Sequence, residues 1–203
     1  MSILKKPDDV GGIYVRGHIK ISDPESGTVY VDKSNAIHYE NISSALAYNL
    51  AHKDQNFIYE MHFGNGGSAA DAQHLTAELI GRFQLERQSL PAIALTTDTS
   101  IITSLGNDYS FDYIFARQCE ALVEKNDVII AISTSGKSKN VLRWIAVSKK
   151  KSAHIIGLTG SKGANMKKLV DVLLMIPSIS TARIQEGHRV TIHAICELVE
   201  ENF

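Results

Sequence analysis

Two loops in this 203-residue sequence have the composition of anion-binding turns. The glycine loop, residues 63–68, reads FGNGGS, and the serine loop, residues 133–138, reads STSGKS. Glycine lets the backbone approach a ligand closely, while hydroxyl and N–H groups at the start of a helix favour a phosphate group. Neither loop has the Walker spacing or the dinucleotide G-x-G-x-x-G spacing. The two loops therefore predict a small phosphorylated metabolite as ligand, although either loop alone could be a plain helix cap.

A histidine and a carboxylate stand four residues apart in the segment after the glycine loop. His74 and Glu78 would share one face of a helix and could bind a common ligand or metal ion, but a surface ion pair has the same spacing. Near the C-terminus, one helical segment carries four more polar candidates: Gln185, Glu186, His188 and His193. Glu186 and His193 nearly superpose around this helix, whereas Gln185 and His193 diverge by roughly 80°. Spacing alone does not choose among the four, and a metal site is one interpretation of them.

Short apolar runs alternate with amphipathic segments from Phe57 onward. The apolar runs read FIYEMHF, PAIALTT, DVIIAIS, HIIGLTG and VLLMIP. Helices are predicted over residues 68–82, 110–124, 138–150, 163–170 and 181–202. Strands of this length between helices indicate βαβ crossovers, and hence a parallel β-sheet flanked by helices on both faces. Because ligands bind beyond the carboxyl ends of such strands, both loops are expected at the binding edge of the sheet.

The first predicted strand contains two polar residues. Glu60 and His62 stand where a central parallel strand is normally apolar throughout. We interpret His62 as a strand-end histidine near solvent rather than as a ligand. No role is assigned to five other histidines: His18, His38, His52, His154 and His188.

Residues 1–56 have a different pattern from the rest of the chain. The alternation in IYVRGHIKIS and TVYVD, on either side of residues 23–27, predicts a hairpin. Asn41 could cap a short helix after it. We therefore expect an atypical N-terminal segment over residues 1–56, with a hairpin and a short helix, and an α/β domain over residues 57–203.

The composition is that of an ordinary globular protein, with 44% hydrophobic residues, 21% charged residues and a formal net charge of -1. With positive and negative charges nearly balanced, the protein has no overall positive potential that would attract a polyanion or an anionic membrane. Neither nucleic acid nor a membrane is therefore expected as a partner. No apolar run approaches the ~18 residues that span a bilayer, and the first residues are too charged for a signal peptide. Cys119 and Cys196 are expected to be reduced core residues, which predicts a cytoplasmic protein.

Five blocks of sequence, in order, resemble the sugar isomerase (SIS) domain family, and most closely its phosphoheptose isomerases. The blocks read FGNGGSAADAQHLTAELIGRF, PAIALTTDTS, SLGNDYSFDYIFARQ, ISTSGKSKNVL and TARIQEGHRVTIH. The similarity extends over residues 57–203, and the first 56 residues do not match the family. It implies an SIS-type parallel α/β fold, a homotetramer and a small sugar phosphate as substrate. It also implies the isomerisation of D-sedoheptulose 7-phosphate to D-glycero-D-manno-heptose 7-phosphate, in bacterial heptose, lipopolysaccharide or capsule biosynthesis.

The resemblance also implies a set of functional residues and a zinc ion as cofactor. The residues that match the family's zinc positions are His74, Glu78, Gln185 and His193. The residues that match or accompany its substrate-binding positions are Asn65, Gly66, Gly67, Ser68, Glu78, Asn107, Asp108, Ser133, Thr134, Ser135, Ser138 and Gln185. An aldose–ketose conversion needs one group to move a proton between neighbouring carbons and another to protonate oxygen through an enediol. Glu78 is the expected base and His193 the expected acid, an assignment that the resemblance supports.

Two other functions are compatible with the sequence. A non-catalytic SIS domain that binds sugar phosphates would need the serine loop but not the metal ligands. A phage-derived structural or fusion protein would take its function from the N-terminal segment and would keep the SIS domain as a remnant. The complete set of four metal ligands favours the enzyme over both alternatives.

Overall fold

The computed structural model describes residues 60–202 and, before them, the backbone of four short strands. Strand β1 (Ile3–Lys5) pairs antiparallel with β2 (Ile13–Val15), and β3 (Tyr30–Val31) pairs antiparallel with β4 (Ile37–His38). The hairpin predicted between residues 13–22 and 28–32 rests largely on residues outside the described ones and stays a prediction. The helix predicted after Asn41 and the domain boundary predicted at residue 57 lie outside the described residues.

A five-stranded parallel sheet forms the centre of the described part of the chain. Its strands are β5 (Glu60–Phe63), β6 (Ala92–Ala94), β7 (Val128–Ser133), β8 (His154–Gly160) and β9 (Val172–Ile176). Their order is β6-β5-β7-β8-β9, and each was predicted from the sequence. The chain leaves β5 for β6 on one side and then returns to β7 on the other. This reversal creates a crevice between the loops that follow β5 and β7, which are the glycine loop and the serine loop.

Five α-helices and two 3₁₀ segments cover this sheet in residues 60–202. The helices are α1 (Gly67–Ile80), α2 (Thr99–Asp108), α3 (Ala116–Leu122), α4 (Lys139–Lys150) and α5 (Thr181–Glu200). The 3₁₀ segments are Phe111–Tyr113 and Ser161–Lys168. The sequence did not predict α2, which has no fully buried residue. In the part of the chain that is described, no helix is long and apolar enough to span a membrane.

The two faces of the sheet have separate hydrophobic cores. On one face, α1 and α5 pack through Leu75, Leu79 and Ile192 against the strands. On the other face, the cluster contains Phe63 and Trp144 together with α3 and α4 side chains. Helices thus cover both faces, as the alternation of strands and helices predicted.

Helices α1 and α5 lie side by side and run in the same direction. Three contacts, each about one turn further along both helices, set their register: Gly67 with Gln185, Asp71 with Arg189, and His74 with His193. In the second contact, the Arg189 side chain donates two hydrogen bonds, of 3.0 and 2.8 Å, to one oxygen of the buried Asp71 carboxylate. Sequence spacing gave no signal for this ion pair, because its partners are 118 residues apart.

Candidate active site

Three side chains from α1 and α5 form the His/Glu cluster, which consists of His74, Glu78 and His193. The Nε2 atoms of His74 and His193 are 2.8 Å apart, and His74 Nε2 lies 3.5 Å from Glu78 Oε1. One ligand atom from each residue lies within 4.8 Å of the other two. All three side chains are half-buried, so the cluster is held by the helices yet open to a ligand. Three of the four predicted metal ligands are therefore brought together.

The donor set of the His/Glu cluster fits a divalent metal ion. Two imidazole lone pairs at 2.8 Å would repel each other unless a proton or a cation lay between them. Two imidazoles and a carboxylate are typical zinc ligands, and Zn–N distances of about 2.0–2.1 Å in a tetrahedral site separate two nitrogens by about 3.3 Å. The His74–His193 separation of 2.8 Å is about 0.5 Å shorter, which small side-chain rotations can correct. These ligands also suit other divalent metals, so the donor set does not select one.

Burial and nearby charges determine the protonation state of His193. Its ring packs against that of Phe83, with centroids 5.3 Å apart and planes inclined by 30°, and against that of His74 at 5.1 Å. Burial lowers the pKa of His193, and nearby His74 and Arg189 lower it further, whereas Glu78 acts in the opposite direction. The neutral imidazole, which can accept a proton or bind a metal, is therefore favoured.

Gln185, the fourth predicted metal ligand, contacts the start of α1. Its amide occupies the space where a Cβ at position 67 would be, so Gly67 permits this close approach. Position 67 is two helical turns before His74, about 10 Å along the axis. In residues 60–202 no hydrogen bond joins Gln185 to the His/Glu cluster. Its role as a ligand stays a prediction.

The serine loop joins the end of β7 to the start of α4, as predicted. Gly136 has a φ of 61°, and a Cβ there would collide with Gly163, so the turn requires glycine. Ser138 occupies the N-cap position of α4, but its hydroxyl makes no capping hydrogen bond. Ser138 Oγ instead lies 3.3 Å from Ser133 Oγ. Hydroxyl and N–H groups thus meet at the positive end of a helix, which suits a phosphate group.

Backbone hydrogen bonds hold the serine loop in place. The Gly160 N–H group at the end of β8 donates to the Thr134 carbonyl at 3.0 Å. The Lys137 N–H group donates to Ser135 Oγ at 3.2 Å. Thr134 and Ser135 are both half-buried, so the loop has a fixed backbone and hydroxyl groups within reach of a ligand.

The glycine loop joins β5 to α1 and is tied to the serine-loop helix. The Asn65 amide donates to Asn140 Oδ1 at 3.0 Å, and the Asn140 amide donates to Asn65 Oδ1 at 2.8 Å. Asn140 is buried in the first turn of α4 and was not singled out from the sequence. The pair fixes the distance between the two loops. Gly66, with a φ of 56°, and Gly67 are exposed beside it, whereas Ser68 is buried.

Asn107 and Asp108 lie at the exposed C-terminal end of α2. The Asn107 amide donates to Asp108 Oδ1 at 2.8 Å. No hydrogen bond within the described ranges connects either residue to the two loops or to the His/Glu cluster. Their assignment as substrate-binding residues stays a prediction.

His62 is fully buried, so the prediction that it lies near solvent was wrong. The Thr76 hydroxyl donates to the Ala72 carbonyl at 2.9 Å and therefore accepts a hydrogen bond from His62 Nδ1 at 2.8 Å. His62 Nε2 then faces Glu60 Oε2 at 3.4 Å. His62 is thus held by Thr76, whereas neither oxygen of the buried Glu60 carboxylate has a hydrogen-bond partner within the described residues.

Comparisons with known proteins relate this architecture to one group of enzymes. The SIS domain family profile matches residues 32–160, a range that begins ahead of the boundary predicted at residue 57. The chain is 56% identical over 138 residues to a phosphoheptose isomerase of Geobacter sulfurreducens, covering 68% of this chain and 73% of that protein. It is 44% identical over 188 residues to that of Sulfurimonas denitrificans, covering 93% and 94%. The solved phosphoheptose isomerase of Neisseria gonorrhoeae superposes with a TM-score of 0.70 at 42% identity, covering 78% of this chain and 85% of that one.

Proposed function

The chain belongs to the SIS domain family, and we propose that it catalyses the phosphoheptose isomerase reaction. This reaction converts D-sedoheptulose 7-phosphate into D-glycero-D-manno-heptose 7-phosphate for heptose biosynthesis. The observation that carries the proposal is the convergence of His74, Glu78 and His193. The two helices that bear them begin at the sheet edge where the serine loop also lies.

Glu78 is the proposed base and His193 the proposed acid. The Glu78 carboxylate takes a proton from the carbon next to the carbonyl group and returns it to the neighbouring carbon. The neutral His193 imidazole takes the proton of the neighbouring hydroxyl group and then, as the acid, gives it to the carbonyl oxygen, so that the two oxygens exchange a proton through the enediol. Both residues approach His74, so one small region of substrate can contact the pair. General acid–base groups typically contribute 10²–10⁴-fold each to such a reaction.

A zinc ion is the proposed cofactor. His74, Glu78 and His193 would hold it, with Gln185 as the fourth ligand, and the chemistry of their donor atoms supports this assignment. When bound, the ion supplies a Lewis acid that polarises a carbonyl oxygen.

The two loops are proposed to bind the rest of the substrate. Ser133, Thr134, Ser135 and Ser138 hold the phosphate group at the start of α4, which fixes the far end of the sugar so that its first two carbons meet the base. The proposed contacts to the sugar hydroxyl groups are Asn65, Gly66, Gly67, Ser68, Asn107 and Asp108. Of these, Asn65 acts together with Asn140, which already engages its amide.

The His/Glu cluster favours an enzyme over the two alternative functions. A sugar-phosphate-binding SIS domain requires a phosphate site but no convergent acid and base. A remnant domain in a structural protein requires neither. The two imidazoles and the carboxylate of the half-buried His/Glu cluster contribute little to the stability of the fold. A function therefore explains their presence better than packing does.

We also propose a homotetramer in the cytoplasm. Large apolar side chains remain exposed on the described surface, as is typical of surfaces that subunits cover: Ile80, Leu85, Tyr109, Phe111 and Ile179. Cys119 and Cys196 are buried and unpaired, and burial raises the pKa of both thiols, which suits a reducing compartment.

Turnover of sedoheptulose 7-phosphate, measured with and without a chelator, tests the proposed function. Glu78→Gln should lower kcat about 10²–10⁴-fold and leave KM nearly unchanged, because the amide keeps the shape of the side chain but cannot accept the proton. Glu124→Gln makes the same change at an exposed position and should match the wild type. Wild-type turnover by Glu78→Gln would refute the base assignment, and a wild type that isomerises nothing after zinc is added would refute the function.

A further inference from the structure

A buried ion pair lies at the C-terminal end of α1, outside the residues assigned above. Arg87 Nε and Glu200 Oε1 are 3.2 Å apart, and the side chains are only 3% and 2% exposed. Glu200 belongs to the last turn of α5, whereas Arg87 belongs to the connection between α1 and β6. We call these two residues the Arg87–Glu200 latch.

Glu200 binds the backbone just beyond α1. Its carboxylate accepts hydrogen bonds from the N–H groups of Phe83, Gln84 and Leu85, at 2.6, 2.7 and 3.0 Å. Burial alone would raise the pKa of Glu200, but these three N–H groups and Arg87 outweigh it and lower the pKa. The carboxylate is therefore ionised and holds three consecutive residues against α5.

Arg87 binds the last carbonyl groups of α1. Its guanidinium donates to the Glu78 carbonyl at 2.7 Å and to the Leu79 carbonyl at 2.8 Å. Carbonyl groups at a helix end lack partners within the helix and attract a cation. Since one of them belongs to Glu78 itself, Arg87 fixes the peptide group from which the proposed base projects.

The same latch also reaches His193. Glu200 holds the Phe83 N–H group at 2.6 Å, and the Phe83 ring packs on the His193 ring at 5.3 Å. His193 and Glu200 are both on α5. This one helix therefore binds the Phe83 backbone through Glu200 and contacts the Phe83 ring through His193. The latch thus contacts the Glu78 backbone directly and contacts His193 through Phe83.

We propose that Arg87 and Glu200 are positioning residues, which set the orientation of Glu78 and His193 without touching substrate. This inference rests on the proposed function for the roles of Glu78 and His193. A side chain that orients a ligand or catalytic group typically changes activity or metal affinity 10–100-fold when it is removed. A guanidinium fork is needed, because Arg87 serves two carbonyl groups and a carboxylate at once.

The test compares Arg87→Met, Arg87→Lys, Glu200→Gln and the surface control Lys150→Met in the full chain. Isomerase turnover is measured well below the unfolding temperature of each variant. Arg87→Met should lower kcat 10–100-fold with KM within about threefold of the wild type, and Arg87→Lys should recover part of the loss. Lys150→Met removes the same charge from an exposed site and should leave kcat unchanged. If Arg87→Met does not fold, Arg87→Lys and Glu200→Gln, which nearly keep the side-chain volume, test the positioning role instead.

A second readout separates the latch from the reaction. In metal-free protein, the imidazole ¹H NMR signals of His193 report the Phe83 ring that lies against it, and they should shift in Arg87→Met and Glu200→Gln but not in Lys150→Met. If the wild type has no isomerase activity, the proposed function fails while these signals still test the latch. Folded latch variants with wild-type kcat, or with unshifted His193 signals, would overturn the inference.

Discussion

His188 makes the stability of the fold depend on pH in a defined range. The residue lies on α5 with its side chain fully buried. Burial lowers the pKa of His188 from 6.5 to about 4, although the backbone of Thr159 and the Asp71 carboxylate oppose this effect. A change of pH therefore alters the protonation of His188 differently in the folded and unfolded states.

The direction and size of the effect follow from the two pKa values. Between pH 6.5 and 4 the unfolded chain binds a proton at His188 that the folded protein excludes, so the folded state loses stability as the pH falls. At 1.36 kcal/mol per pH unit, the complete loss is about 3 kcal/mol, of which about 2 kcal/mol appears between pH 7 and 5. Well above pH 6.5 His188 is neutral in both states and contributes no slope.

The assay is urea unfolding at several pH values for the wild type, His188→Leu and the exposed control His154→Gln. Groups other than His188 also titrate, but their contributions cancel when wild type and variant are compared. The free energy of unfolding of the wild type should fall by about 2 kcal/mol more than that of His188→Leu between pH 7 and 5. His154→Gln should parallel the wild type, because position 154 is exposed. A constant difference between wild type and His188→Leu over this range would show that His188 does not cause the pH dependence.

Two further predictions concern the serine loop. Ser135→Ala should raise KM for the sugar phosphate and leave kcat nearly unchanged, since the phosphate contact contributes equally to ground-state and transition-state binding; an unchanged KM would argue against its anchoring role. Gly136→Ala should lower the free energy of unfolding by at least about 2 kcal/mol in urea titrations, because the positive φ and the collision with neighbouring backbone both oppose a Cβ. Gly106→Ala, where a Cβ meets no atom within 4 Å, is the matched control and should not destabilise the protein.

The elements of the sheet could be predicted from sequence more readily than the partners of individual side chains. Apolar runs such as DVIIAIS and HIIGLTG can only be buried between helices, and both are strands as expected. Helix α2 was missed because its apolar residues are few and only partly covered. The burial of His62 was not predicted because its partner Thr76 lies on the next element, α1. No regular spacing in the sequence relates the two residues.

The candidate site shows the same division between local and tertiary information. The spacing of His74 and Glu78 places both on one face of α1, which the structure confirms. The angular positions around α5 could not select His193 over Glu186 or His188. They give the direction of each side chain but not the residues of other elements that lie in that direction. That choice depends on the register of α1 against α5, which the ion pair between Asp71 and Arg189 helps to fix.

The interface between α1 and α5 contains more polar groups than its stability requires. Two adjacent helices on a sheet are held well by leucine and isoleucine, as Leu75, Leu79 and Ile192 illustrate here. Placing an ion pair and two facing imidazoles along the same seam costs desolvation that apolar packing avoids. The latch adds a further buried charge pair at the end of this seam, and it contacts the helix end rather than the solvent. A sequence selected for stability alone would have little reason to keep these groups, whereas the proposed reaction, with Glu78 as base and His193 as acid, would require them in fixed relative positions.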